Sequence, residues 1–399
     1  MEKTYEIVSA IVPEFDQKRF YLIDQDLNFV PEVRWLVDHK ATTRRVSSPN
    51  TLYATCNSLR WYYRFLNDQQ KMVLEVGPAD LIEFTLWLQH PLRQAGKCPL
   101  QVSTIRQIQS AVSELYKFLV RRGYLAESPV VYEDIPAFWH GSREHDLLAH
   151  VNRSHAPQRM EMMLKLPKTR VKTVSNDDFQ CFLEAVCGGN LQGRLSPSQR
   201  RNSLMVLMLK ETGLRRGELL GLHMADIDFA ATGVHVRFRG DNVNGARAKA
   251  GYGRDRFVMC PPEIFALLDT YISEVWVEAP GCSDYLWLTF QKHRTDRIGA
   301  SIFGKPLTQT AFNKMFAAAS EKSGVHVHPH MLRHTHATDL VRTHVRQGKT
   351  VDWKFISERL GHTNVATTMQ TYVHLTQEDR KKAYTLYVDR REAAYDKKQ

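Results

Sequence analysis

The chain has 399 residues, with 54 Lys and Arg against 43 Asp and Glu, and its formal net charge is +11. Its apolar fraction of 43% supports more than one core, which excludes a mainly disordered chain, a collagen-like fibre and a disulfide scaffold. The length predicts two or three domains. The six cysteines form no CxxC pair. With no secretory signal and no run of about 18 apolar residues, we expect a cytoplasmic protein without a membrane span. The charge favours a polyanion partner.

The first third of the chain predicts strands and then helices. Strand-like runs at 5–12 and 19–23 precede a polar, basic stretch, so we predict an N-terminal extension over 1–45. Ser48, followed by proline, predicts a helix start. Asp80 begins another helical pattern. The clearest helix is predicted over 103–121, where apolar residues recur at +3, +4, +3 and +4: Ile105, Ile108, Val112, Leu115 and Leu119. Residues 46–135 are therefore predicted to be a compact helical domain.

The helices of this domain carry basic side chains on their other faces. A module that grips a phosphate backbone would expose such residues, and a solvated helix surface explains them equally well. The candidates for DNA contact are Arg60, Arg64, Arg106, Lys117 and Arg121.

The rest of the chain predicts a linker, a second domain and a tail, over 136–165, 166–385 and 386–399. Ser175 is a predicted helix cap, and the apolar run 204–209 predicts a buried helix. Alternating residues predict a strand over 234–238 and another over 256–259, helical spacing returns near 264–275, and the chain is predicted helical after 308. The predicted fold class is mainly α with a small antiparallel β-sheet (α+β).

Three segments contain the candidate chemistry: ETGLRRGELLGL at 211–222, HPHMLRHTHAT at 328–338 and LGHTNVATTMQTYVH at 360–374. Arg215 follows a glycine turn, His330 and Arg333 are spaced i, i+3, and His362 precedes Tyr372 by ten residues. Two arginines, two histidines and a tyrosine are sufficient for phosphoryl transfer without a metal. Each residue alone has an ordinary structural explanation, and only their joint occurrence points to catalysis.

In this order the motifs resemble the signature of the tyrosine recombinases, also called phage integrases. The resemblance covers about 166–385, and the helical domain fits that family's core-binding module in position and type. It implies that Arg215 and Arg333 clamp a phosphate, that Tyr372 is the nucleophile, and that no cofactor or metal is needed. It also implies a proton-handling role for His330.

The resemblance assigns three further residues. His362 would donate a hydrogen bond to the transition state, and Glu218 would orient Arg215. The family also uses a hairpin lysine to protonate the leaving 5′ oxygen, and Lys249 is the only lysine between 239 and 256. Basic residues near it are expected to contact DNA, although a solvated hairpin would show the same bias: Arg239, Arg247 and Arg254.

The implied partner is double-stranded DNA, bound by a homotetramer on two DNA sites. The length and the extension favour an integrase or transposase of a mobile element. A helix predicted from 376 would dock on a neighbouring subunit or pack on its own domain. The alternatives are a type IB topoisomerase and a DNA-binding protein on a recombinase scaffold. A metal nuclease would need a carboxylate cluster, and the sequence shows no obvious one.

Overall fold

The computed structural model describes residues 4–12, 17–42, 48–90, 100–134, 158–165, 171–189, 194–240, 242–246, 255–279, 283–296 and 299–372. The chain divides into two compact units, Met1–Lys168 and Thr169–Gln399. The described elements are mainly helices, with small antiparallel sheets, so the predicted fold class is confirmed. Within the described residues, no helix is both long and apolar enough to cross a membrane.

Among its described residues, the first unit has two antiparallel strand pairs and four α-helices. Its elements are β1 (Glu6–Val12), β2 (Gln17–Ile23), α1 (Pro31–Thr42), α2 (Pro49–Asp68), α3 (Pro78–Gln89), α4 (Val102–Arg121), β3 (Tyr132–Asp134) and β4 (Gln158–Met160). Strands β1 and β2 lie at the predicted strand-like runs, and they pair from Glu6 with Ile23 to Val12 with Gln17. Helix α2 begins directly after the predicted start at Ser48, α4 matches the predicted 103–121 to within a residue, and α3 begins two residues before Asp80.

Residues 17–42 belong to the core of the helical unit. Leu22 of β2 and Val33 and Leu36 of α1 share one buried cluster with Leu59 of α2 and Leu115 of α4. The predicted division near residue 45 therefore does not coincide with an edge of this core. Helix α1 was not predicted, because its apolar residues make up only a short stripe between charged ones.

The end of the predicted linker also packs on this unit. Strand β4 pairs with β3, and Met162 is buried in the same core. The side-chain amide of Gln109 donates to the backbone oxygen of Met162. Residues 135–157, which make up most of the predicted linker, lie outside the described residues.

The described part of the second unit is a helical bundle with one small sheet. Its elements are α5 (Asn176–Val186), α6 (Pro197–Thr212), α7 (Arg216–Leu220), β5 (Ile227–Asp228), β6 (Gly233–Val236), β7 (Arg256–Met259), α8 (Pro262–Glu274), α9 (Gln309–Ser323), α10 (Pro329–Arg346) and α11 (Trp353–Leu360). The antiparallel sheet has the order β5-β6-β7. Val234 and Val236 are buried and His235 between them is half-buried, so the predicted alternation is confirmed there, but the strand ends at Val236 and not at 238.

Local sequence signals explain where these helices begin and end. Ser175 accepts a hydrogen bond from the backbone N–H of Asp178, which confirms the predicted cap of α5. Ser196 and Gln199 form a capping box at the start of the buried helix α6. After Thr308, the described chain forms α9, α10, α11 and a helical segment at 365–372; the loops that connect them were not predicted.

Candidate active site

Arg215 lies at a sharp turn between two helices. Helix α6 ends at Gly213, whose φ of 68° lies in the left-handed region that favours glycine, and Arg215 is the N-cap residue of α7. Its Nη1 donates to Oε1 of Glu218 at 2.7 Å, and its backbone N–H donates to Oε2 at 2.8 Å. Its Nη2 donates to the backbone oxygen of Gly361 at 3.0 Å. The turn and these bonds fix the direction of the guanidinium.

Glu218 binds two arginines. Its side chain is fully buried, and Arg256 donates to it through Nη1 at 3.0 Å and Nη2 at 2.8 Å, while Arg215 binds it from the N-cap position of α7. Burial raises the pKa of Glu218, but the hydrogen bonds and charge of Arg256 and the charge of Arg215 outweigh it and bring the pKa to about 2. Arg256 also donates to the backbone oxygen of Arg359, and a Cβ at Gly361 would lie 2.6 Å from its Nη1.

Arg333 is buried at the centre of the site, with 2% of its surface exposed. From α10 its Nη1 donates to the backbone oxygen of Gly213 at 2.6 Å, and its Nη2 donates to that of Leu360. Burial, together with the positive charge of Arg215, lowers the pKa of Arg333 to about 9. The side chain therefore joins the end of α6 to the end of α11 and adds a second guanidinium to the same region.

His362 follows the left-handed turn at Gly361 that ends α11. Its Nδ1 lies 2.7 Å from Oγ1 of the fully buried Thr368. Burial, then the charges of Arg333 and Arg215, lower the pKa of His362 to about 4, so the ring is neutral at pH 7. If the threonine hydroxyl donates to Nδ1, the proton of the neutral ring is on Nε2, where it can be donated to an anion.

Tyr372 is almost completely buried, with 1% of its surface exposed. Its hydroxyl oxygen lies 2.5 Å from Nδ1 of His334, and the rings of His334 and His330 are 4.2 Å apart between centroids. Burial raises the pKa of the tyrosine hydroxyl to about 12, although the charge of Arg333 opposes this. The ring packs in a small apolar cluster that contains Ala337, Val341, Ile356 and Leu360.

The structure brings five of the six predicted catalytic residues together. Besides the contacts above, the charges of Arg333, Arg215 and His330 all act on the pKa of His362, and Tyr372 acts on that of Arg333. The sixth residue, Lys249, lies outside the described residues, as do Arg247 and Arg254.

The predicted DNA contacts in the first unit differ in their surroundings. Lys117 and Arg121 are exposed on α4, with the ammonium of Lys117 over the ring of Tyr132 at 4.7 Å. Arg106 instead donates to the backbone oxygen of Leu164 at 2.6 Å. Its guanidinium therefore attaches the segment after β4 to helix α4.

The other predicted contacts also have protein partners. Arg60 donates to Oδ1 of Asn57 at 2.8 Å, and the guanidinium of Arg64 lies 5.7 Å from the ring of Trp61. In the second unit, both terminal nitrogens of Arg239 donate to the buried carboxylate of Asp226 at 2.7 Å. The ion pair between Arg239 and Asp226 connects the segment after β6 to the residue that precedes β5.

Two residues of the site had no predicted role. Arg256 was predicted only as the first residue of a strand, and His334 was noted only as part of the second motif. A signal existed for His334, because the spacing of i, i+4 places it on the same helix face as His330. No signal pointed to Arg256, because its partner Glu218 is 38 residues away along the chain.

The arrangement has the chemistry of an anion site beside a nucleophile. Two fixed guanidinium groups and a neutral imidazole provide donors for the oxygens of a phosphate, and a phenol lies in the same cluster. Within the described residues, no group of three or more His, Cys, Asp or Glu side chains could hold a metal ion.

Comparison with known proteins gives matches over both units. The model of the "Phage integrase family" matches residues 172–379, and that of the "Phage integrase, N-terminal SAM-like domain" matches 41–123. Transposase A from transposon Tn554 of Staphylococcus aureus is 26% identical over 379 residues, which cover 94% of this chain and 95% of the transposase. Tyrosine recombinase XerC of Listeria welshimeri is 24% identical over 344 residues, which cover 86% of this chain and 92% of that protein.

Two solved structures share the fold. The Tn1549 transposon integrase in complex with transposon right end DNA has a TM-score of 0.56 at 16% identity, over 88% of this chain and 99% of that one. The XerH recombinase in its post-cleavage complex with a difH substrate has a TM-score of 0.52 at 16% identity, over 82% of this chain and 76% of that one.

Proposed function

Because the chain belongs to the phage integrase family, whose members are tyrosine recombinases that cleave and rejoin DNA strands, we propose that Tyr372 is its nucleophile. The phenol oxygen attacks a DNA phosphate and forms a 3′-phosphotyrosine. The 5′ oxygen leaves and takes a proton from Lys249. A 5′-hydroxyl of the partner strand then reverses the step, so no nucleotide cofactor is consumed.

The surrounding cations stabilise the charge that develops on the phosphate. Arg215 and Arg333 neutralise its non-bridging oxygens, and His362 donates from Nε2 to one of them. His330 handles protons beside the phosphate, and Glu218 orients Arg215. One observation carries this proposal: Tyr372 packs in one cluster with Leu360, and Arg333 and Arg215 donate to the backbone oxygens of Leu360 and Gly361, although the three side chains come from different elements.

Covalent trapping tests the nucleophile. On a nicked suicide substrate the unaltered chain is expected to form a covalent protein–DNA adduct, and Tyr372→Phe is expected to form none while still binding the DNA. Tyr384→Phe and Tyr387→Phe are the matched controls, because they change tyrosines that follow the third motif. Adduct formation by Tyr372→Phe, or its loss in either control, would contradict the assignment.

We further propose that the chain is the integrase or transposase of a mobile element and works in the cytoplasm. The Tn554 transposase supports the first statement, since the alignment spans nearly the full length of both chains. The proposed cytoplasmic location is supported by free thiols, because cysteines stay reduced in the cytosol. The free cysteines among the described residues are Cys56, Cys181, Cys187 and Cys260. Sequencing of the DNA next to the gene would show whether element ends flank it. Relaxation of supercoiled DNA without a specific site would instead indicate a topoisomerase.

The active assembly is proposed to be a homotetramer on two DNA sites. The family resemblance supports it, together with the predicted helix from 376, which lies outside the described residues. Light scattering of the DNA complex tests the assembly, and deletion of 376–399 tests the helix. Loss of the tetramer on deletion is the expected result, whereas an intact tetramer would exclude docking through this helix.

A further inference from the structure

The partner of the Tyr372 hydroxyl is a histidine outside the predicted catalytic set. The hydroxyl oxygen lies 2.5 Å from Nδ1 of His334, which is within hydrogen-bond distance. The predicted proton-handling residue, His330, is one helical turn away on the exposed side, with its ring edge-on to that of His334. His334 is thus the imidazole in contact with the atom that must lose a proton when it attacks.

The two groups have complementary protonation states before reaction. Burial, with the charges of His330, Arg333 and His328 on α10, lowers the pKa of His334 to about 4. Burial raises the pKa of Tyr372 to about 12. At pH 7 the imidazole is therefore neutral and the phenol protonated, so the phenol can donate to an unprotonated Nδ1.

We propose that His334 is the general base of strand cleavage and accepts the hydroxyl proton of Tyr372 at Nδ1 as the tyrosine oxygen attacks phosphorus. This proposal rests on the assignment of Tyr372 as the nucleophile. In the step, the O–H bond of Tyr372 breaks, its oxygen bonds to phosphorus and the bond from phosphorus to the 5′ oxygen breaks. The proton remains on the imidazolium and the leaving oxygen is protonated separately. On rejoining, the imidazolium returns its proton to the phenolate.

Bound DNA makes the transfer more favourable. In the free protein the charges of His330 and Arg333, and the imidazole of His362 from the turn after α11, face His334 and oppose its protonation. A phosphate held by the arginines adds a negative charge to the same region, which favours the imidazolium. The base is therefore weak in the free protein and stronger with substrate in place, which protects against unproductive ionisation of the nucleophile.

The variant His334→Asn distinguishes a residue that only positions the Tyr372 hydroxyl from one that also accepts its proton. The amide oxygen of asparagine lies near the position of Nδ1 and can accept the phenol hydrogen bond, but it does not take up the proton. Single-turnover adduct formation is expected to slow by about 10²–10⁴-fold, with DNA binding unchanged. The rate of adduct formation by the variant should then rise with pH over a range in which the rate of the unaltered chain no longer changes with pH. His344→Asn, on the same helix, should leave the rate unchanged.

Rescue provides an independent measurement. His334→Ala is expected to be as slow as His334→Asn and to regain activity when free imidazole is added, because a small base can occupy the space of the lost ring. If either variant melts without a cooperative transition, His334→Gln replaces it. A rate for His334→Asn within about threefold of the unaltered chain with the same pH profile, or a faster rate in any variant, would overturn the proposal. If Tyr372→Phe forms adduct, the proposed function fails instead.

Discussion

Glu218 and Arg256 form a two-point ion pair in which the carboxylate is fully buried. Arg215, which is proposed to bind the phosphate, donates to the same carboxylate. Arg256 also donates to the backbone oxygen of Arg359, so Glu218 is connected through Arg256 to the turn at Gly361. Removal of one partner from a buried pair costs far more than removal from an exposed pair, because the remaining charge loses its compensation.

Arg256→Ala is therefore expected to lower the free energy of unfolding by about 3–5 kcal/mol, as measured by urea denaturation. Arg200→Ala is the matched control, since Arg200 pairs with Glu274 at the surface with side chains 38% and 58% exposed. That change should cost less than about 1 kcal/mol. Equal losses in the two variants would mean that the buried pair does not support the site.

The two proposed clamping arginines should each matter for cleavage. Arg215→Ala and Arg333→Ala are expected to slow adduct formation by about 10²–10³-fold each, because each removes fixed donors to the phosphate. Arg216→Ala provides the comparison: Arg216 is adjacent in sequence but donates to Asn313 and Gln309. Its rate should stay near that of the unaltered chain. A similar loss in all three would point to a general effect on the fold, which thermal melting would reveal.

The role of Lys249 can be isolated by changing the leaving group. Lys249→Ala should slow cleavage of ordinary DNA by about 10²–10⁴-fold, since the 5′ oxygen leaves poorly without a proton. A substrate with sulfur at this bridging position should be cleaved by the variant nearly as fast as by the unaltered chain, because a thiolate leaves without protonation. Arg247→Ala should show no such dependence on the substrate. Failure of the sulfur substrate to restore the rate would exclude Lys249 as the acid.

Salt dependence should distinguish DNA contacts from structural arginines in the first unit. If the exposed Lys117 and Arg121 neutralise phosphates, alanine at either position should reduce the slope of log affinity against log salt by about 0.9. Arg106→Ala should leave the slope unchanged and lower the melting temperature, because Arg106 bonds to the backbone of Leu164. A changed slope for Arg106→Ala would show that its guanidinium reaches the DNA.

The stability of the second unit should fall as the pH falls below neutrality. Burial, with the charge of Arg359, lowers the pKa of His336 from 6.5 to about 3, and its Nε2 lies 2.9 Å from Nε of Arg359. Below about pH 6.5 the unfolded chain binds a proton that the folded chain does not, so the free energy of unfolding decreases by about 1.4 kcal/mol per pH unit for this residue.

Urea denaturation between about pH 5 and pH 7 measures this slope above the range in which carboxylates titrate. The lowered pKa values of His334 and His362 act in the same direction. His336→Gln should reduce the slope while keeping an acceptor for Arg359. If the slope is the same in the variant, His336 does not stay neutral in the folded chain.

The amino-acid sequence was sufficient to predict much of the local structure and five residues of the site. Serine caps, glycine turns and apolar periodicity mark features such as Ser175, Gly213 and α4, because they act between residues a few positions apart. The three motifs named five residues that the structure brings together. Helix α1, with a short apolar stripe, was not recognisable until its residues were seen in the core of the first unit.

The contacts between groups that are distant in the sequence follow from the packing of the helices. Tyr372 contacts His334 across 38 residues, and Arg333 bonds to Gly213 across 120. Such contacts depend on how helices pack, since a side chain's neighbours across an interface follow from the positions of whole elements and not from local spacing. For the same reason the sequence could assign roles to His330 and Tyr372, but it could not show that a different histidine lies against the tyrosine hydroxyl.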